Sequence, residues 1–526
     1  MKLERNVVSK YRPLTAISLS GSLWLCLGAL STLNVAAQSI TFQHGPAQKL
    51  KEFRENMQVD TDLDGFLSGL INLDYPIQHD IEKKKTYFFS SGQDEKYSLS
   101  VFTDFDTFSG TTRFIATEAA AGQKVHLYDI ISLNGKRYVF YSVSDKKGMA
   151  TSLYASELNA DLAMQGTPSK LFTTTTKNKE VSELLLKVSP NGKWIGVLQN
   201  VSVKDITQHQ VITIINESLS ITDTVHVGPK QIAAEYLLRD WVIDDGGNVY
   251  QVGWGNLAPG KEGRILCSYF KRSSALKVTP IMTNIKESFK AELKIRKNMK
   301  GPVVVGLFES DKHLGYAFYQ VNASEESVLE GASDVFDKKD FEALAANVPW
   351  SVDNFLALPS GDFVFSLESN TQENYSDKAP TFHSGPAIIL SVTPDGKEKW
   401  RRVLHKAQNG GALFISRGHL MLPWGNDVVV LYNDNPENII APPDLEGVKN
   451  YNGVKTSLVM QRISPEGKAT KKQVNLPEEV GDYVLTCGAN QVIEGMVTDN
   501  VYQVYLMKLS GMTFLIRMAV MEIASQ

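Results

Sequence analysis

The reading of the fold turns on residues 184–227, LLLKVSPNGKWIGVLQNVSVKDITQHQVITIINESLSITDTVHV. Four apolar, β-branched runs stand out at 184–189, 193–198, 211–215 and 222–227. Pro190-Asn191-Gly192, a polar loop and a second short turn separate them. Short runs of this kind bounded by Gly, Pro and Asn clusters read as strands joined by hairpins, so the stretch is one small four-stranded sheet.

Outward from this unit the pattern repeats. A second unit runs through 354–358, 362–367, 387–392 and 398–404, with Pro394-Asp395-Gly396 between its third and fourth strands; that turn recurs as Pro465-Glu466-Gly467. A turn before one recurring strand aligns at Gly135, Gly192, Gly247, Gly301, Gly361, Gly418 and Gly488, spaced 57, 55, 54, 60, 57 and 70 residues apart. A period of this length, filled by about four strands, is what a propeller blade requires, because each blade packs its faces on its neighbours. The expectation is an all-β chain, a β-propeller of about seven (six to eight) four-stranded blades over residues 87–526. One helix is expected over 336–346, where Phe341, Leu344 and Ala345 fall at helical spacing.

Residues 1–37 read as a secretory signal: Lys2, Arg5, Lys10 and Arg12 precede an apolar core at 17–33 and the small-residue site Val35-Ala36-Ala37. Cleavage after Ala37 removes these four cations and Glu4, which moves the formal charge from −4 to −7. That balance disfavours nucleic acid and anionic membrane as partners, and no membrane span remains after cleavage. The segment 38–86 lies outside the repeat. Ser39-Ile40-Thr41-Phe42 is a candidate strand there, and an early strand lent to the last sheet would pair an edge that is otherwise open.

Several segments, in order, resemble a group of secreted, propeller-like proteins of Bacteroidota bacteria: KRYVFYSV at 136–143, LYASEL at 153–158, KVSPNG at 187–192, IDDGGNVY at 243–250, PDGKEKW at 394–400, HKAQ at 405–408 and YNDN at 432–435. The resemblance covers roughly residues 125–508 and implies export and a repeat fold. It carries no activity with it. It departs after Leu509, where residues 513–524 are more hydrophobic than the usual short ending.

Chemistry is sparse in the sequence. No nucleophile elbow, zinc helix, phosphate loop or paired-cysteine metal motif occurs. Cys267 and Cys487 remain in the mature chain and read as buried small apolar residues, with one long-range bridge left open. The histidines are scattered singly, and His313, His383, His405 and His419 have no second ligand at helical or hairpin spacing. Asp60, Asp62 and Asp64, followed by Gly65, reproduce the first half of a calcium loop, although Ile71 stands where a bidentate Glu is required. Calcium is therefore the expected ion if one binds there.

The apolar run of each recurring second strand ends in a polar or aromatic group. Trp254-Gly255-Asn256 and Trp424-Gly425-Asn426 are the most distinctive, with Glu309 and Glu368 in corresponding places. An aromatic platform beside an amide suits a sugar ring or a peptide side chain. Trp254, Asn256, Glu309, Glu368, Trp424 and Asn426 are thus expected to share one face and form a ligand site. The leading functional expectation is an exported, non-catalytic binding or scaffolding module that recognises a glycan, a peptide or an envelope protein. The alternative is a propeller-fold hydrolase or lyase whose acid/base residues come from different blades, where converging carboxylates and a His would be the distinguishing sign. A weaker third expectation is a calcium-stabilised surface protein.

Overall fold

The structure is a computed structural model. It describes residues 40–44, 47–49, 76–80, 85–91, 97–102 and 110–114, and from 124 to 523 all but short loop segments and the stretches 257–263, 281–288, 338–349, 410–416, 441–447 and 486–500. Every described regular element is a strand, apart from two three-residue 3-10 turns at Pro436–Asn438 and Glu478–Val480.

The described strands form eight sheets, seven of them meanders in chain order and the eighth completed by a strand from the N-terminal part of the chain. Sheet 1 is Pro76–Asp80, Lys85–Ser91, Tyr97–Phe102 and Gly110–Phe114. Sheet 2 is Lys124–Leu133, Lys136–Ser144, Ala150–Leu158 and Met164–Thr175. Sheet 3 is Val181–Val188, Trp194–Val203, Ile206–Asn216 and Ile221–Val227. Sheet 4 is Ala234–Ile243, Val249–Asn256, Arg264–Phe270 and Leu276–Pro280. Sheet 5 has Phe289–Lys294, Val303–Glu309 and His313–Asn322, and the last of these pairs with both Ser327–Val328 and Ser333–Asp337. Sheet 6 has Trp350–Ala357, Phe363–Tyr375, Lys378–Val392 and Glu398–Leu404, with Gln408–Asn409 added on the third strand. Sheet 7 is Leu420–Trp424, Asp427–Asp434, Ser457–Ile463 and Ala469–Val474. Sheet 8 orders Val484–Leu485, Val501–Ser510, Thr513–Ile523 and, from the other end of the chain, Ile40–His44.

These sheets pack face to face. Isoleucine 195, Val197 and Ile215 join Phe140 and Leu153 of sheet 2, whereas Leu198, Ile212 and Ile214 on the opposite face join Trp241 and Ile243 of sheet 4. Successive side chains point to opposite faces of a strand, so a central strand with both faces covered must be apolar at odd and even positions alike. The same sharing joins sheets 5 and 6, sheets 6 and 7, and sheets 7 and 8. Each fully buried Val, Leu or Ile contributes roughly 1.5–3 kcal/mol. First strands of successive sheets lie side by side, as Val181–Val188 does with Ala234–Ile243, Ala234–Ile243 with Phe289–Lys294, and Trp350–Ala357 with Leu420–Trp424. Fourth strands such as Ile221–Val227 are largely exposed. This is the β-propeller arrangement, with first strands toward the centre and fourth strands at the rim.

Three details differ from the sequence reading. Sheet 1 begins at Pro76, inside the segment taken as preceding the repeat. Sheet 7 turns between its first two strands at Gly425-Asn426, not at Gly418, which precedes the first strand. Phe336 belongs to the strand Ser333–Asp337, while residues 338–346 of the expected helix lie outside the described residues. Among the described residues no helix is long and apolar enough to cross a membrane.

Candidate functional site

The first strand of sheet 6 carries an irregularity that re-aims two side chains. Val352 pairs with Leu367 and Phe355 with Phe365, so Asp353 and Asn354 together stand opposite the single residue Ser366. Two residues against one is a β-bulge, a device that bends the strand and redirects the side chains it carries. The bulge is tied down by Asn354 N donating to Ser366 Oγ at 3.1 Å.

Glu368 lies two residues beyond, on the second strand, and pairs with Ser351 and Ala387. The register slips again between Glu368 and Asn370. A Cβ at Gly385 would fall 2.3 Å from Ser369 Oγ, so a larger residue there needs that hydroxyl to rotate away. After the fourth strand ends at Leu404 the chain turns back, and Gln408–Asn409 pairs with His383 and Ser384 of the third strand. That return carries Lys406 inward. Gln408 Oε1 then accepts Gly418 N at 2.8 Å, and its Nε2 donates to Asn433 O at 2.8 Å, which fixes the chain just before His419.

Four charged or titratable groups converge as a result. Lys406 is fully buried, and its ammonium donates to Glu368 Oε1, to Ser384 Oγ at 2.6 Å and to Gln408 Oε1 at 3.2 Å. All three of its protons have partners. Ser384 Oγ donates in turn to Glu368 Oε1 at 2.7 Å. His419 is 0% exposed, and its Nδ1 lies 3.5 Å from Glu368 Oε1 and 3.8 Å from Asp353 Oδ2. Asn354 Nδ2 donates to Asp353 Oδ2 and approaches the His419 carbonyl at 3.3 Å. Asp353 is the member that reaches solvent, with 19% of its side chain exposed.

Environment separates the two carboxyl groups. Burial first, and then the negative charge of Glu368, pushes Asp353 up to about 7. Burial acts the same way on Glu368, but the Lys406 ammonium and the His419 ring overcome it and hold that carboxylate below its ordinary range. Removing one partner of the Lys406–Glu368 pair would strand a buried charge, at about 3–5 kcal/mol.

The expected ligand face is rearranged. Trp254 and Asn256 close the second strand of sheet 4, Glu309 closes that of sheet 5, and Glu368 lies within that of sheet 6. Trp424 closes the first strand of sheet 7, and Asn426 lies in the turn that follows. Adjacent strands are antiparallel, so the end of a first strand and the end of a second strand are opposite ends of a sheet. The two Trp-Gly-Asn segments are therefore not equivalent, and the six residues do not form one face. Trp424 is also 5% exposed, packed among residues of sheets 7 and 8 with the Arg462 guanidinium 4.4 Å from its ring centre. Asn426 accepts Ser360 N at 2.9 Å, joining the turn of sheet 7 to that of sheet 6. Among those of the six whose side chains are described, Glu368 alone joins the buried cluster. Asp60, Asp62, Asp64 and Cys487 lie outside the described residues, and Cys267 is placed on the third strand of sheet 4.

Asp353 and Lys406 escaped the sequence reading, and His419 was set aside there for want of a second ligand at helical or hairpin spacing. They are separated from Glu368 by 15, 38 and 51 positions, spacings that belong to no local motif. The available signals were the polar pair Asp353-Asn354 interrupting an apolar strand and the HKAQ segment at 405–408.

No protein family and no curated protein matches the chain. Among solved structures, it is similar to a polysaccharide lyase, Uly1, at 9% identity over 75% of this chain and 89% of that one, TM-score 0.34. The β-propeller domain of the Trilobed protease from Pyrococcus furiosus aligns at 10% identity over 74% and 91% of the two chains, TM-score 0.31. A prolyl endopeptidase aligns at 10% identity over 73% of this chain, which spans 44% of that enzyme's length, TM-score 0.33. Likeness at this level assigns no activity or site residue.

Proposed function

We propose that this chain is an exported propeller-fold enzyme of hydrolase or lyase type, with its reaction centre at Asp353, Glu368 and His419. The observation that carries the reading is the convergence, at the junction of sheets 6 and 7, of two carboxylates and an imidazole within 4 Å contacts of His419 Nδ1. Such a set can place and remove charge at a reacting bond, and Asp353 gives it an open side. Export rests on the N-terminal segment 1–37, and the substrate would be a glycan or a peptide, the classes expected outside the cytoplasm. A second reading, a non-catalytic binding module, is favoured by the burial of Glu368, Lys406 and His419, which leaves Asp353 as the accessible group.

A panel of polysaccharides and peptides incubated with the mature protein tests the reading, with new chain ends and unsaturated products as the signals. The expected outcome is turnover of one substrate class that falls by about 100-fold or more in Asp353→Asn. A folded protein inactive on the whole panel, or turnover unchanged in that variant, rejects catalysis at this centre.

A further inference from the structure

We infer that Asp353, Glu368 and His419 form a binding site for a divalent transition-metal cation of the zinc or manganese class. The inference deepens the reading of this cluster as a reaction centre and rests on it for its functional meaning.

One donor atom from each of the three residues lies within 4.8 Å of the others. Ligands on a tetrahedral cation at about 2.0–2.2 Å stand roughly 3.3–3.6 Å from one another, close to the 3.5 and 3.8 Å that separate His419 Nδ1 from the two carboxylates. A cluster of acids alone would say little, since carboxylates often gather without an ion. The second observation is His419. Its Nδ1 is buried, faces both carboxylates and makes no hydrogen bond to either. A buried polar nitrogen left without a partner costs roughly 1–3 kcal/mol. It lies between two acidic groups, 3.5 Å from Glu368 Oε1 and 3.8 Å from Asp353 Oδ2. A cation placed there would satisfy the nitrogen and neutralise both carboxylates at once.

The donor set selects the ion. One imidazole nitrogen with two carboxylate oxygens suits zinc or manganese, whereas calcium and magnesium prefer oxygen alone and more of it. Three protein ligands with one open side, here that of Asp353, is the ligand count of a catalytic site, which keeps a position for water or substrate. Outer partners that orient the ligands are also in place: Ser384 and Lys406 hold Glu368, and Asn354 holds Asp353. Lys406 competes electrostatically with the ion. Lys406 and Ser384 both engage Glu368 Oε1, the oxygen that faces His419 Nδ1, so an ion there shares that oxygen with the ammonium.

The test uses the untagged mature chain stripped of metal by chelator dialysis, then titrated with zinc or manganese chloride in a calorimeter. One equivalent of either should bind. Binding should be lost in His419→Ala and weakened by more than the roughly 10–100-fold typical of an outer partner in Asp353→Asn, and excess calcium should not displace the ion. If His419→Ala fails to fold, Asp353→Asn and the visible absorption of the cobalt-loaded protein decide, because nitrogen and oxygen ligation gives a spectrum that bulk cobalt lacks. Absence of stoichiometric binding, or binding unchanged in both variants, overturns the inference. Activity lost in Asp353→Asn without any bound metal would leave the reaction centre standing as a metal-free acid/base pair and reject only the cation. A bound ion in a protein inactive on every substrate would keep the cation and reject the enzyme.

Discussion

Gly467 sits at φ +79°, in the left-handed region, and a Cβ there would lie 2.8 Å from Trp400. The turn it closes rests on sheet 6: Trp400 Nε1 donates to Pro465 O at 3.1 Å, and Arg402 Nε donates to Gly467 O. Gly425 is also left-handed, at φ +58°, but a Cβ there meets nothing within 4 Å. Gly467→Ala should therefore lose about 1 kcal/mol for backbone strain and a further ~1–3 kcal/mol for the clash. Gly425→Ala should lose the strain alone. Chemical denaturation of both variants checks the difference, and equal losses would show that the contact between sheets 6 and 7 is soft. The turn itself was legible as Pro-Glu-Gly. The close approach of Trp400 was not, because it involves a residue 67 positions away.

At the scale of elements, the second strand of sheet 7, Asp427–Asp434, is buried along its whole length and ends on a carboxyl group with no exposure. Asp434 Oδ1 accepts Asn435 N at 2.8 Å and Asn438 Nδ2 at 2.7 Å, while Oδ2 is buried without a hydrogen bond. Burial raises its pKa, opposed by the Asn438 and Asn435 bonds and by the charges of Lys471 and Lys406. The folded state thus holds the proton more tightly than the unfolded chain. Stability is greatest below the unfolded carboxylate range and falls as pH rises from there through the folded value. Asp434→Asn keeps the acceptor at Oδ1 and removes the buried charge, so it should be more stable than the parent at pH 8. The advantage should shrink as pH falls and vanish near pH 3. Denaturation curves across that range measure it, and a difference independent of pH would mean that burial does not govern this group.

The first and last described strands are paired. Ile40–His44 pairs antiparallel with residues 519–523, and Gln48–Lys49 pairs with Leu515 and Ile516 of the same strand. An early strand is thus the outer strand of the last sheet, and the hydrophobic segment Thr513–Ile523 is covered by it and not left as an edge. Deleting residues 38–49 should lower the unfolding midpoint and promote self-association through the exposed edge, seen as a larger mass in solution by light scattering. A synthetic peptide of the deleted residues should reverse both effects. A truncated chain that is as stable and as monomeric as the parent would show that the pairing contributes nothing.

The sequence by itself determined the strand content, the meander, the approximate period and the presence of turns with left-handed glycines. Each of these follows from contacts between residues near in the chain: alternation along a strand, Pro and Gly at a hairpin, apolar runs where both faces are covered. The similar Trp254-Gly255-Asn256 and Trp424-Gly425-Asn426 segments misled for the same reason, since identical local letters fit the end of either a first or a second strand. Tertiary structure alone decided which sheet owns which turn, and it alone assembled the buried cluster. Asp353 is aimed by a bulge, Lys406 by a returning strand and His419 by the hydrogen bonds of Gln408. Their meeting depends on the packing of sheet 6 on sheet 7, and no spacing along the chain encodes that contact.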